Sequence, residues 1–476
     1  MKPPASSATL PQDRVPFWRK VAYGLGGCVE NTAVGISQGN LTPVFNIGLG
    51  LNPALLGVVT FVWRAWDACA DVFFGNLSDN ARTRWGRRRP FLVVGAVLTG
   101  LTMPLIWWVP PGWSSMLVLA WLTLGGIIFY TCFSFWAMPY YSLQLEMTPD
   151  YNERTNITAH RTFAQQFLVL AGSWILALAA RPFFSTHADH RPDLLNGMRY
   201  ISVGLALLTI ILGMLPGLFV QERYYEKDAS RQPKEKLWTG LKQTLTTRPF
   251  LYIVLIVFLK TFGFSLVGVM GFYINTYYVC RGDLTLSTEI GGVSGTLLAL
   301  SNFFFIPFCN WLANRIGKKA MLYVTVYCGI ASVLSMAFFI TPAHPWWQLV
   351  PPLVLNPIGM GLWLVIPSMQ ADVADYDELM THQRREGSFA AVFSWTTKAS
   401  TALAGGISGV LLVLTGFDAT IIGHQPDTVL AHMKFLYIGV PLLFLVATLP
   451  AIHGYDLTLE RVQDIRRKLE ARRGAV

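Results

Sequence analysis

Polar breaks divide this chain into twelve apolar stretches: 21–45, 53–77, 89–109, 115–145, 161–182, 198–220, 250–279, 289–312, 319–340, 346–370, 388–415 and 433–453. About 20 apolar residues in helical form cross the hydrocarbon of a bilayer. In lipid a helix satisfies every backbone polar group internally. The pattern therefore predicts an all-α integral membrane protein of twelve transmembrane helices. The intervening loops alternate in charge. The loop after the second stretch holds Arg82, Arg84, Arg87, Arg88 and Arg89, whereas 46–52, 110–114, 341–345 and 416–432 contain no lysine or arginine. Basic loops stay on the cytoplasmic side, so both termini are expected there, and the arginines need no other role than topology.

One long charged segment, 221–249, carries seven lysines and arginines and separates two sets of six stretches. The expected organisation is a cytoplasmic tail 1–20, a six-helix half 21–220, a cytoplasmic link 221–249, a second six-helix half 250–453 and a basic cytoplasmic tail 454–476. The halves echo each other. "QLEMTPDYNE" (Gln144–Glu153) is matched by "QADVADYDE" (Gln370–Glu378), and "NLSDNARTRWGRR" (Asn76–Arg88) by "NWLANRIGKK" (Asn310–Lys319), both about 230 residues apart. Paired six-helix repeats with a site between them near the midplane are a transporter architecture.

Composition agrees. The chain of 476 residues is 53% hydrophobic and 13% charged, where a soluble protein carries about 25% charged residues. Its net charge of +10 is accounted for by the basic loops, so no nucleic-acid partner is expected. The partners are the bilayer and a small solute, and the chain is expected to act as a monomer. Six cysteines form no CxxC pair and are read as packing residues. The first twenty residues are polar and proline-rich with no apolar core, unlike a signal peptide. There is no P-loop GxxxxGK[ST] or HExxH motif and no GxSxG nucleophile elbow, the one GxSxG match, Gly35–Gly39, lying inside the first apolar stretch, which argues against ATP as the energy source and against an enzyme. An ion gradient is the remaining driver, and no cofactor beyond a coupling ion is expected.

The candidate chemistry is the charge inside the apolar stretches. "RAWDACADVFFGNLSDNARTRWGRRRP" (Arg64–Pro90) puts Asp67 and Asp71 four residues apart, on one helical face. Arg64 precedes Asp67 by three, so a structural ion pair is the plainer reading of that aspartate. It leaves the second carboxylate unexplained. Intramembrane carboxylates typically serve ions or protons, and two close ones repel, which recruits a cation or a proton. Lys398 in "FSWTTKAS" and Lys260 in "IVFLKTFGF" lie at similar depth; Lys260 is also explained by snorkelling. Glu30 and Asn31 sit in the glycine-rich "YGLGGCVENTAVG", where close helix approach directs a polar pair inward. Trp136, Tyr140, Tyr141, Trp363 and Trp395 lie beside intramembrane polar groups. A ring next to hydrogen-bonding groups suits a sugar, which has an apolar face and polar edges. The loop carboxylates, Asp375 among them, are read as gate salt bridges with Arg154, Arg384 and Arg385, or less readily as a metal site.

The Arg64–Pro90 stretch, "MPYYSLQLEMTPDYNERT", "ADVADYDELMTHQRREG" and the lysine of "WTTKAS" together resemble, in order, the motifs of the glycoside–pentoside–hexuronide:cation symporters. These are a branch of the major facilitator superfamily typified by melibiose permease. The resemblance implies two pseudo-symmetric six-helix halves, alternating access, and sugar uptake coupled to Na⁺, Li⁺ or H⁺. It implies that Asp67, Asp71 and Ser134 form the cation site. By the same correspondence Arg161, Tyr141, Trp363, Ser394 and Lys398 fall at sugar-pocket positions, joined here by Glu30 and Asn31. Two departures matter. The family's sugar-binding aspartates correspond to Asn31 and Ala137, and an amide of its cation site to Ala70. Galactoside specificity is therefore not expected. With fewer oxygen ligands a proton is favoured over Na⁺, the only metal expected, at Asp67 and Asp71. The same fold carrying a lipid, drug or organic anion is the alternative, and a non-transporting membrane sensor a minor one.

Overall fold

The computed structural model describes residues 14–81, 83–148, 151–186, 191–222, 246–354, 361–381, 386–418, 421 and 425–473, and every regular element among them is helical. The long helices are α1 (Phe17–Gly26), α2 (Ser37–Leu49), α3 (Pro53–Asn80), α4 (Arg89–Trp107), α5 (Ser115–Met147), α6 (Tyr151–Ser173), α7 (Leu194–Phe219), α8 (Arg248–Tyr273), α9 (Leu284–Ile316), α10 (Lys318–Phe339), α11 (Gly361–Thr381), α12 (Glu386–Leu414), α13 (Asp427–Gly454) and α14 (Leu459–Arg473).

Nine helical segments among the described residues are long and apolar enough to cross a membrane. Three expected spans fall outside that set for separate reasons. The first stretch is not one helix: Gly27 and a π-helical segment, Asn31–Ile36, interrupt it between α1 and α2. Helix α3 carries Arg64, Asp67 and Asp71 within its apolar sequence. The expected tenth span runs through 355–360, outside the described residues.

Several helices start where a side chain can take up the free N–H groups of a first turn. Ser114 accepts from Leu117 N, Asp193 from Asn196 N and Asp283 from Leu286 N. Helix α2 closes on Gly50, whose φ of +67° lets its N–H reach the Asn46 carbonyl.

The chain divides into two compact units, 1–51 with 62–233, and 52–61 with 234–476. In the first, glycines bring helices into backbone contact. A Cβ on Gly100 would lie 2.4 Å from Ile210, and one on Gly213 2.8 Å from the Ala96 Cβ, so α4 and α7 pack closely. In the second, Phe250, Ile253 and Val257 of α8 pack with Met321, Ile366, Phe389 and Leu445 in one buried cluster. Helix α14 adds Val462, Ile465 and Leu469 to it.

The basic loops have more structure than a topological anchor requires. Glu222 accepts from three consecutive backbone amides, Arg87 N (2.8 Å), Arg88 N (2.8 Å) and Arg89 N (3.2 Å), at the start of α4. The Arg89 guanidinium donates to the Gly217 and Leu218 carbonyls at the end of α7. Gly86, at φ +108°, leaves room for the carboxylate; a Cβ there would meet Glu222 Oε1 at 2.7 Å. The second unit repeats the device. Gly317, at φ +85°, precedes Lys318, which pairs with the buried Asp372. Lys319 donates to the His453 and Tyr455 carbonyls at the end of α13. The weak sequence echo between "NARTRWGRR" and "NRIGKK" thus corresponds to one structural job, tying the start of one helix to the end of another.

Glu222→Ala strands three amides at once. Hydrogen bonds to a charged group contribute about 1.5–3 kcal/mol each in favourable cases. A lowered Tm of the detergent-solubilised protein is expected, with Glu222→Gln intermediate. An unchanged Tm in Glu222→Ala would contradict the role of this carboxylate.

Candidate functional site

Helix α3 is held against α5 by three contacts in register. The Trp63 indole donates to the Leu122 carbonyl (3.0 Å), the Trp66 indole to Thr131 Oγ1 (2.8 Å), and Ser134 Oγ to Asp67 Oδ1 (3.2 Å). Gly126 makes the first possible, because a Cβ there would fall 1.8 Å from Trp63 Nε1. Asp67 is consequently only 2% exposed, deep between the two helices. Arg64 Nη1 is 3.5 Å from Asp67 Oδ2, longer than the roughly 2.7–2.9 Å of a charge-assisted hydrogen bond. Asp71 lies one turn further along α3 and is half-buried. Its charge acts on Tyr141 of α5.

Tyr141 joins this group to a second one. The charges of Glu30 and Arg161 also act on it. Arg161 Nη2 lies 2.7 Å from Glu30 Oε2, and its guanidinium stands over the rings of Tyr140 (5.6 Å) and Tyr141 (5.1 Å). Gln165 donates to Glu30 (3.2 Å) and to the Gly27 carbonyl (3.0 Å), and Asn31 Nδ2 donates to the Gln165 carbonyl. The glycines of "YGLGG" allow this approach: a Cβ on Gly27 would meet Arg161 Cγ at 2.8 Å, and one on Gly24 the His160 carbonyl oxygen at 2.9 Å. Glu30 borders the π-helical segment that begins at Asn31, a distortion often found at functional positions. Behind Arg161 runs a ladder of stacked rings, Tyr23 on Tyr140 (4.6 Å) and Tyr140 on Trp136 (4.7 Å). The Glu30 and Arg161 side chains keep 36% and 20% of their surface exposed.

The structure therefore brings together Asp67, Asp71, Ser134, Glu30, Asn31, Tyr141 and Arg161 in the first unit. Trp363 on α11, 40% exposed, and Ser394 and Lys398 on α12 belong to the second, as do the half-buried Lys260 and Asp375. Arg82, Arg384, Arg385 and the Arg154 side chain lie outside the described residues. Among the described residues no cluster of three His, Cys, Asp or Glu side chains forms. Two residues of this region were not singled out by the sequence. Gln165 carried no motif. Tyr130 sits one turn before Ser134 on α5, fully buried, and its hydroxyl makes no hydrogen bond among the described residues. Its only signal was the four-residue spacing from Ser134.

Residues 31–459 match the family described as MFS/sugar transport protein. The chain belongs to that family. The resemblance drawn from its motifs is thereby borne out. The chain is 26% identical to a glucuronide carrier protein homolog of Escherichia coli K12, covering 96% of both chains. It is 24% identical to the sodium-dependent lysophosphatidylcholine symporter 1-A of Danio rerio, covering 95% of this chain and 88% of that one. A crystal structure of an inward-facing bacterial homologue of the human lysosomal transporter Spinster superposes with a TM-score of 0.63 at 13% identity, covering 95% and 96%. That likeness shows the fold alone. The family and these neighbours are membrane transporters, not enzymes, and this member of the MFS/sugar transport family is an integral membrane transporter.

Removing one partner of a half-buried ion pair leaves the other charge less compensated, whereas removing both does not. Glu30→Gln in this transporter is expected to lower Tm by several degrees, and the double variant Glu30→Gln/Arg161→Gln to recover most of the loss. A double variant no more stable than Glu30→Gln would show that the pair is not coupled.

Proposed function

We propose that this transporter imports a sugar, as a glycoside, oligosaccharide or uronide, by symport with a cation, and that the cation is a proton rather than Na⁺. The observation that carries this reading is the buried Asp67, hydrogen-bonded by Ser134, in one unit with the partly exposed Glu30–Arg161 pair, with Tyr141 feeling the charges of both Asp71 and that pair. A carboxylate in a low-dielectric interior is stable only when neutralised. A proton or cation bound there changes the charge felt at the adjoining polar cluster, which gives a physical route for coupling. Asp67, Asp71 and Ser134 are assigned to the cation. Glu30, Asn31, Tyr141 and Arg161, with Trp363, Ser394 and Lys398 of the second unit, are assigned to the sugar. The donors and acceptors of Arg161, Glu30 and Asn31 beside the Tyr141 face suit a polyol. Ala70, where the related cation sites carry an amide, supports the proton, which needs a carboxylate but no cage of oxygens.

In this reading the chain has twelve spans in two six-helix halves, 21–220 and 250–453, both termini cytoplasmic, in a bacterial inner membrane. It works as a monomer by alternating access, with Arg82, Arg87, Arg88, Arg154, Asp375 and Arg385 at the cytoplasmic gate. A lipid cargo is the second reading, favoured by the full-length similarity to a lysophosphatidylcholine symporter. A glycoside that saturates binding at millimolar concentration or below argues against it.

Asp71→Asn tests the assignment. Accumulation of a labelled glycoside against its gradient is expected to be lost while equilibrium binding of the glycoside persists. Normal gradient-driven accumulation by Asp71→Asn would sink the proposal.

A further inference from the structure

Two buried groups beside Asp67 lack what the other offers. The Arg64 Nε–H is a donor with no acceptor, and the Tyr130 hydroxyl has no partner, among the described residues. Leaving a buried polar group unsatisfied is costly, and such groups are rare enough in folded proteins to need a reason. The two are neighbours. Tyr130 packs its ring against Trp63 (5.9 Å between centroids), the residue before Arg64, and the charges of both Arg64 and Asp67 act on its hydroxyl. Meanwhile the guanidinium is held by Asp67 only at 3.5 Å. The arrangement has a long ion pair on one side of Arg64 and an unused acceptor on the other.

We propose that Arg64 is a two-position switch, paired with Asp67 when that carboxylate is ionised and donating to the Tyr130 hydroxyl oxygen when Asp67 is neutralised. The inference rests on the reading of Asp67 as the coupling carboxylate. When Asp67 takes a proton from water it becomes a poor partner for a guanidinium. Arg64 is always charged and must find another acceptor in a dry interior. Tyr130 supplies a lone pair and Trp63 an adjoining aromatic face. No bond is made or broken except the O–H on Asp67, and the guanidinium keeps its proton throughout. Tyr130 is thus a positioning residue, stabilising the protonated state of the site through Arg64 without touching the sugar. The other titratable or charged groups of this unit around the cluster are Asp71 on α3 itself and Tyr141 on α5, with Glu30 and Arg161 beyond Tyr141.

The switch sets opposite signs for two substitutions. Tyr130→Phe removes the second acceptor, so protonation of Asp67 becomes harder. The midpoint of the pH profile of proton-driven uptake then moves to lower pH by about one unit, the size set by one hydrogen bond to a charged group. Arg64→Gln removes the cation that competes with the proton, so the midpoint moves to higher pH. In the Arg64→Gln background Tyr130→Phe has no further effect. If sodium drives uptake instead, the same three proteins are compared by the sodium concentration for half-maximal uptake: raised in Tyr130→Phe, lowered in Arg64→Gln, and unchanged by adding Tyr130→Phe to Arg64→Gln. Loss of the proton reading therefore leaves the switch testable. Retained accumulation by Asp67→Asn would show that Asp67 is not the coupling carboxylate and would overturn the switch together with that reading. Because the hydroxyl makes no hydrogen bond beside ionised Asp67, Tyr130→Phe is also expected to keep or raise Tm at alkaline pH. An unmoved midpoint in Tyr130→Phe, an equal shift in both backgrounds, or a clearly lowered Tm at alkaline pH overturns the proposal.

Discussion

A carboxylate enclosed by apolar helices is the constraint around which the first unit is organised. Asp67 is shut between α3 and α5, where an uncompensated charge is too expensive to keep. Its neighbours on the two helices include a hydroxyl and a guanidinium. Ser134 gives one hydrogen bond and Arg64 a long ion pair. A carboxylate so placed responds to protons or cations, and the neighbouring polar cluster is where such a response becomes useful.

The rest of the unit holds this site in register. Trp63, one turn before Asp67, and Trp66, the residue next to it, fix α3 to α5 beside the Asp67–Ser134 contact. Gly126 removes the one side-chain atom that would push Trp63 away, and the glycines around position 27 let the interrupted first stretch reach Arg161. At the basic end, Glu222 and Arg89 join the start of α4 to the end of α7. Close helix approach through small residues is the usual way to pack where lipid offers no hydrophobic drive. Here it also delivers the backbone next to charged side chains.

Charge inside an apolar stretch is conspicuous, and so Asp67, Asp71, Glu30 and Lys398 could be found in the sequence. The membrane-spanning helical character followed from stretch length for the same reason. Ser134 and Arg161 needed the family resemblance, because a hydroxyl and a loop-proximal arginine have no distinctive pattern. Tyr130 was invisible for a stronger reason. Its importance lies in what its hydroxyl lacks, which depends on how α3 packs on α5. Glu222 was lost in a charged link where one more carboxylate means little. The π-helical segment at Asn31–Ile36 was also hidden, since i→i+5 hydrogen bonding leaves no mark on an apolar pattern. The arginines after α3 were read as topology alone, yet the amides beneath three of them bind a carboxylate.

The central claim is that protonation of the buried aspartate site drives sugar accumulation. The most direct measurement is uptake of a labelled glycoside panel into proteoliposomes holding the unmodified protein, under an imposed proton gradient and, separately, a sodium gradient. The account predicts concentration of one glycoside above equilibrium with the proton gradient and none with sodium alone. Accumulation with sodium alone, or equilibration without concentration under both gradients, would contradict it.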